Sequence, residues 1–253
     1  MRVELTDGEH ILMFHELRPT MQGSLWLTGK GVEGWYGAKG AGEEPVSRPQ
    51  SDGAYWPSRL TAGTRTVTIH AASICRSSIH LAQLRDRLNA LACRALALNV
   101  EDEHGRRTSE CYISDDIEPI ILPSRRIATF DIVLTCPDPF KYGPEQSFQV
   151  TDSSCVVVNE GNAPTWPRIR VTGPVKTLSV RLSDAGADGL VVWQGDGKDG
   201  LDLDFRDMVP SRGIVTDDRA FPIPPGTHHL TVDTGNVDAK AAVVLRPAWR
   251  GHG

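Results

Sequence analysis

Apolar and polar residues alternate with a period of two along much of the chain, the pattern of strands that turn one face to a core and the other to solvent. The run 128–136 shows it most clearly: Ala128, Phe130, Ile132, Leu134 and Cys136 share one face, and Thr129, Asp131, Val133 and Thr135 share the other. It reads as a half-buried antiparallel strand. The same alternation marks Val67/Ile69/Ala71, Leu96/Leu98/Val100, Leu178/Val180/Leu182, Leu201/Leu203/Phe205 and Leu230/Val232, and residues 155–158 and 169–171 read as further strands. Between Val100 and Cys111, Asp102-Glu103-His104-Gly105 has the composition of a hairpin turn.

One segment changes period. From Ser78 to Ala92 the apolar positions Leu81, Leu84, Leu88, Leu91 and Ala92 recur at helical spacing while Arg85, Asp86 and Arg87 are left to solvent. This predicts an amphipathic helix of about four turns, capped by Ser77 or Ser78. Lying between two strands, its apolar stripe should cover an open face or end of the first sheet.

Residues 28–57 follow neither period. They hold Gly29, Gly31, Gly34, Gly37, Gly40, Gly42 and Gly53 with Pro45 and Pro49, and so predict a long loop that buries little by itself. The loop also carries Trp35, Tyr36, Tyr55 and Trp56, contact area that a solvated linker has no use for. These four are the candidate inter-subunit contact residues. Further on, Pro137, Pro139 and Pro144 stop a strand and force an extended exit. The domain boundary is therefore placed at 145/146, giving domains 1–145 and 146–253. The expected fold is all-β with one α-helix, a β-sandwich followed by a second β-sandwich.

Composition supports this reading. The chain has 253 residues, 40% hydrophobic and 23% charged, which is globular usage. Its 24 glycines and 17 prolines suit many short strands better than a helical bundle. The net charge of -5 is evenly spread, with 13 acids against 11 bases in residues 151–253, so no tail built for a polyanion is present. The longest apolar run is residues 241–245, and Glu4, Asp7 and Glu9 interrupt the start, so neither membrane insertion nor a secretory leader is expected. Cys75, Cys93, Cys111, Cys136 and Cys155 are odd in number, without a Cys-x-x-Cys pair, and read as reduced buried thiols of a protein made in a cytoplasm.

No cluster nominates a reaction, and we expect no catalytic residue, metal or cofactor. The acidic run 196–204 fails the spacing of a calcium loop, because Lys198 and Gly200 fall where oxygen ligands belong; it reads as a hairpin with Asp202 and Asp204 on its wet face. His228-His229 reads as an exposed strand start, and His10, His15, His70, His80 and His104 lack a third ligand at a recognisable interval. There is no Gly-x-Ser-x-Gly, His-Glu-x-x-His or Gly-x-x-x-x-Gly-Lys.

In order and texture, a series of landmarks resembles the distal tail protein family of phages with long non-contractile tails, particularly versions from phages of actinobacteria. They are Gly31-Val32-Glu33-Gly34-Trp35-Tyr36, Asp52-Gly53-Ala54-Tyr55-Trp56-Pro57, Arg65-Thr66-Val67-Thr68-Ile69, the helix with Arg85-Asp86-Arg87-Leu88, Pro137-Asp138-Pro139-Phe140-Lys141-Tyr142-Gly143, Gly161-Asn162-Ala163-Pro164-Thr165-Trp166-Pro167 and residues 221–230. The resemblance implies an N-terminal tail-tube-like sandwich that closes into a homohexameric ring, with a galectin-like sandwich outside. It implies partners too: the major tail tube protein above, tail-tip hub proteins below, and the tape measure protein and DNA passing through the lumen. The protein would then be a structural component of the virion. The sugar-binding pattern of galectins is missing, since there is no His-x-Asn-x-Arg and Trp193 is followed by Gln194-Gly195-Asp196.

A ring of identical copies uses one heterologous interface repeatedly, so each copy must present two unlike complementary faces. The loop 28–57 is the candidate for one of them. Two other readings stay open: a carbohydrate-binding module stacking sugars on Trp166, Trp193 or Trp249, and a cell-wall hydrolase resting only on the abundance of carboxylates.

Overall fold

In the computed structural model of the chain, every residue is described except 18–20, 22, 123–126, 183–188 and 252–253. The chain divides into two compact units, Met1–Lys141 with Arg250–Gly253, and Tyr142–Trp249. The division falls just before the position that Pro144 indicated, and the last residues belong to the first unit instead of the second. No pattern in the sequence marks that return: Arg250 is held there through its backbone carbonyl, which accepts from Arg65 Nη2 at 2.5 Å.

The first unit contains β1 (Arg2–Thr6), β2 (Ile11–His15), β3 (Leu25–Glu33), β4 (Arg65–Ile74), α1 (Ser78–Asn89), β5 (Leu96–Asp102), β6 (Gly105–Ile113), β7 (Ile120–Leu122) and β8 (Ile127–Cys136). Seven strands run in the order β6-β5-β1-β2-β3-β4-β8, and pairing of β6 with β8 joins the two ends. The sheet expected as part of a sandwich is thus closed into a barrel. Alternation indicates which face of a strand is dry, but not which two edge strands meet. The dry faces, among them Val3, Leu5, Phe14, Val67, Ile69, Leu98, Ile132 and Leu134, form one core. The Asp102–Gly105 turn closes the β5–β6 hairpin as its composition required.

Ser77 caps α1, its side chain accepting from the His80 amide at 3.3 Å. Leu84 and Leu88 are buried, and Leu91 enters the same core from the turn after the helix. The helix stops at Asn89, short of Ala92: the Leu91 and Ala92 amides bond three residues back, and Cys93 adopts a positive φ of 58°. Cys75, Cys111, Cys136 and Cys155 are buried free thiols, whereas Cys93 is exposed.

A two-residue strand, β9 (Lys141–Tyr142), lies at the division. The second unit then contains β10 (Gln146–Gln149), β11 (Ser154–Asn159), β12 (Arg168–Thr172), β13 (Val175–Leu182), β14 (Leu190–Gly197), β15 (Leu201–Asp204), β16 (Ile214–Arg219), β17 (Gly226–Asp233), β18 (Lys240–Leu245) and β19 (Ala248–Trp249). A four-stranded sheet, β10-β18-β12-β15, and a five-stranded sheet, β11-β17-β13-β14-β16, bury a common core. Phe205 and Phe221 meet edge to face in it, with ring centres 5.3 Å apart.

Two local readings change here. The acidic run is a corner rather than a hairpin, because β14 belongs to the five-stranded sheet and β15 to the four-stranded one. Asp202 and Asp204 do lie on the wetter face, where Arg168 Nε donates to Asp202 Oδ1 at 2.5 Å. His228 is buried and only His229 is exposed, since the alternation of β17 turns the first ring inward. No helix of the described residues is long and apolar enough to cross a membrane.

Candidate functional site

The segment between β3 and β4 is the largest departure from the barrel. β3 runs on through Thr28–Glu33, its register with β4 shifting between Leu27 and Val32, so the loop proper is residues 34–64. It is ordered as a narrow arm. At its base Ala41 bridges Ala62 and the Gly42 amide donates to the Thr61 carbonyl at 2.8 Å; further out Ser47 bridges Ala54 and the Tyr55 amide donates to the Val46 carbonyl at 2.9 Å. Gly42 and Gly63 allow the two legs to touch, since a Cβ on either would crowd the other's Cα. Glu43 cross-links the legs, accepting from both the amide and hydroxyl of Thr61, and these bonds hold its carboxyl below the usual range.

The root is pinned by two buried basic side chains. The Arg65 guanidinium donates to five backbone carbonyls: Nε to Pro139 at 2.9 Å, Nη1 to Gly34, Trp35 and Gly37 at 2.9, 3.2 and 2.8 Å, and Nη2 to Arg250. Lys141 Nζ donates to the Trp35 carbonyl at 3.0 Å and lies 5.0 Å from the centre of the Trp35 ring. Both side chains are fully buried. Desolvation is the largest effect on Lys141, joined by the positive charges of Arg65 and Arg107, and it brings the amine down to about 7.

The four aromatic residues therefore separate. Trp35 is 1% exposed and is a core residue of the barrel unit, which removes its side chain from any docking surface. Tyr36 is half-buried beside a cleft of about 710 Å³ shared with Met1, Glu16, Asp102 and Glu103; burial and then Asp102 push its hydroxyl up. Tyr55 and Trp56 stand on the arm at 57% and 84% exposure, with Val46 and Leu60 also exposed there. Sequence reasoning missed Arg65 and Lys141, because nothing local distinguishes a buried cation from a solvated one.

Two clusters assembled by the fold were also missed. Asp7, Glu9 and His10, in the β1–β2 turn, bring potential ligand atoms within 4.8 Å of one another. Arg94 already lies against Asp7 at 2.5 Å, and backbone bonds from His10 lead the effects that hold the Asp7 carboxyl far below its ordinary value. On β4, His70 Nδ1 lies 2.7 Å from Asp131 Oδ1 of β8, and Nε2 lies 3.3 Å from Glu33 Oε2 of β3. Of the tryptophans considered for sugar stacking, Trp193 is in the core with Nε1 donating to the Arg212 carbonyl at 2.6 Å, while Trp166 is exposed.

No family model matches the chain, and no curated protein matches it in sequence. Solved structures do. The crystal structure of the SPP1 Dit protein, described as a paradigm of the hub adsorption apparatus in phages infecting Gram-positive hosts, aligns with a TM-score of 0.65 at 17% identity, over 88% of this chain and 93% of that one. Chains of the phage P2 baseplate in its activated conformation align over 96% of this chain and 97% of theirs, with a TM-score of 0.52 at 10% identity with Ca and 0.51 at 11% with Sr. This chain has the fold of the SPP1 Dit protein over 88% of its length, which takes in both of its units.

Proposed function

We propose that the chain is a structural protein of a phage tail, a distal tail protein whose copies close into a six-membered ring between the tail tube and the tail-tip proteins. The observation that carries this reading is the alignment with the SPP1 Dit protein over nearly the full length of both chains. The arm adds a physical reason for assembly. Glu43, Arg65 and Lys141 order a segment that could otherwise be solvated coil, and that order holds Trp56 and Tyr55 out in water. Large aromatic groups displayed on a pre-formed support are what a protein–protein contact uses. In a ring, this arm is one of the two unlike faces each copy needs, and the receiving face belongs to the next copy. The lumen passes the tape measure protein and DNA, and a net charge of -5 is compatible with a wall that does not hold phosphates.

Electron microscopy of the purified protein tests the proposal: class averages should show a six-fold ring with a central hole. Antibody labelling of particles should mark the tip of the tail. Separate single copies under the microscope, together with particles that carry no label, would remove it.

A further inference from the structure

β6 and β8 close the barrel at Tyr112–Thr135 and Ile113–Leu134, and one residue further in the same register Cys111 lies opposite Cys136. Both cysteines are within their strands, both are in the barrel core, and they are 4% and 0% exposed. The two thiols lie near enough to shift each other's ionisation. The other three are placed differently: Cys155 faces Leu230 in the second unit, Cys75 follows β4, and Cys93 is exposed in a turn. We propose that Cys111 and Cys136 are a redox-active pair, which forms a disulfide across the barrel seam when the protein meets a low-molecular-weight disulfide such as oxidised glutathione.

Geometry permits the bond. Facing Cβ atoms of an antiparallel pair lie about 4.5–5.5 Å apart, and a disulfide needs about 3.5–4.5 Å, so the strands must approach by roughly 1 Å. Access comes from the seam itself. β6 and β8 are joined there by two register pairs, against ten between β4 and β8, so opening at this line costs few hydrogen bonds.

The surroundings make the two thiols unequal. On its other side Cys136 faces Arg65, a buried cation whose donors all go to carbonyls, so a thiolate here supplies the negative charge that Arg65 lacks. The neighbouring Cys111 thiol, with Ser109 and the Arg65 charge, draws Cys136 below the ordinary thiol range, while the Cys136 neighbour and burial push Cys111 up. Cys136 is thus the attacking group. Its thiolate displaces one thiolate from the external disulfide and forms a mixed disulfide. Cys111 then loses its proton and attacks Sγ of Cys136, expelling the second thiolate. Two protein thiols are oxidised to one disulfide, the external disulfide is reduced to two thiols, and the two protons end on those thiols. The product ties β6 to β8 covalently.

The test uses the intact chain in glutathione buffers of increasing oxidised fraction, followed by denaturing alkylation and peptide mass mapping. The expected result is a peptide pair joined through 111 and 136, two hydrogens lighter than the dithiol, that disappears with dithiothreitol. It should bring a rise in Tm of roughly 5–10 °C. Cys111→Ser should accumulate glutathione on Cys136. Full alkylation of both cysteines in oxidising buffer, with glutathione only on Cys93, would overturn the proposal; a joined pair with an unshifted Tm would overturn its seam-tying role.

Discussion

Lys141 Nζ donates to the carbonyl of Trp35 at 3.0 Å and sits over the same residue's ring, so one buried amine fixes both the backbone and the side chain at the arm's root. Arg65 holds the carbonyls on either side, of Gly34 and Gly37. An arm proposed to dock through Trp56 gains from such a base, because each loose backbone residue adds an ordering cost of about 1–2 kcal/mol on docking.

That base is sensitive to pH. The Lys141 amine titrates near 7 in the folded chain and at 10.5 unfolded. Between those values the unfolded chain binds the proton that the folded one has lost. Stability from this group therefore rises with pH across the window, by at most about 1.4 kcal/mol per unit, and is lost as pH falls toward 7. Urea unfolding at pH 7 and pH 9 should show the wild type gaining on Lys141→Met by about 2 kcal/mol; parallel curves would refute the assignment.

Arg65→Met removes the donor to five carbonyls. With charged hydrogen bonds worth about 1.5–3 kcal/mol each and several acceptors stranded, the loss should be about 3 kcal/mol or more. Chemical denaturation measures it. Limited proteolysis should also cut the arm of the variant faster than that of the wild type.

Gly34 has φ +78°, and a Cβ there would run into the Thr66 carbonyl; Gly53 has φ +85° but open space around it. Gly53→Ala should cost only the left-handed backbone penalty, about 1–2 kcal/mol, and Gly34→Ala distinctly more. Equal melting temperatures for the two variants would show that the arm's root gives way freely.

Trp56 is exposed and the protein's own fold does not use it. Trp56→Ala should leave unfolding free energy within about 0.5 kcal/mol. At an interface, losing a tryptophan anchor costs about 2 kcal/mol or more, roughly 30-fold in affinity at each contact. Sedimentation velocity should find the variant in small species at concentrations where the wild type assembles.

The fold class was legible because alternation is a local property: Phe130, Ile132 and Leu134 declare their strand without reference to anything else. So was α1, through Leu84 and Leu88. Closure of the barrel was not, since the pairing of Ile113 with Leu134 depends on where two strands end up after the rest has folded. The arm's aromatic content stood out, but which aromatic faces outward did not. Trp35 and Trp56 look alike in sequence, and what separates them is Lys141, more than a hundred residues from Trp35 along the chain. Trp193 and His228 were misread for the same reason, being turned inward by the strands that carry them.

Native mass spectrometry of the chain reads its copy number. A six-membered ring gives a dominant species of six times the chain mass, reduced to single copies by Trp56→Ala. A wild-type chain that remains a single copy at concentrations up to tens of micromolar would contradict it.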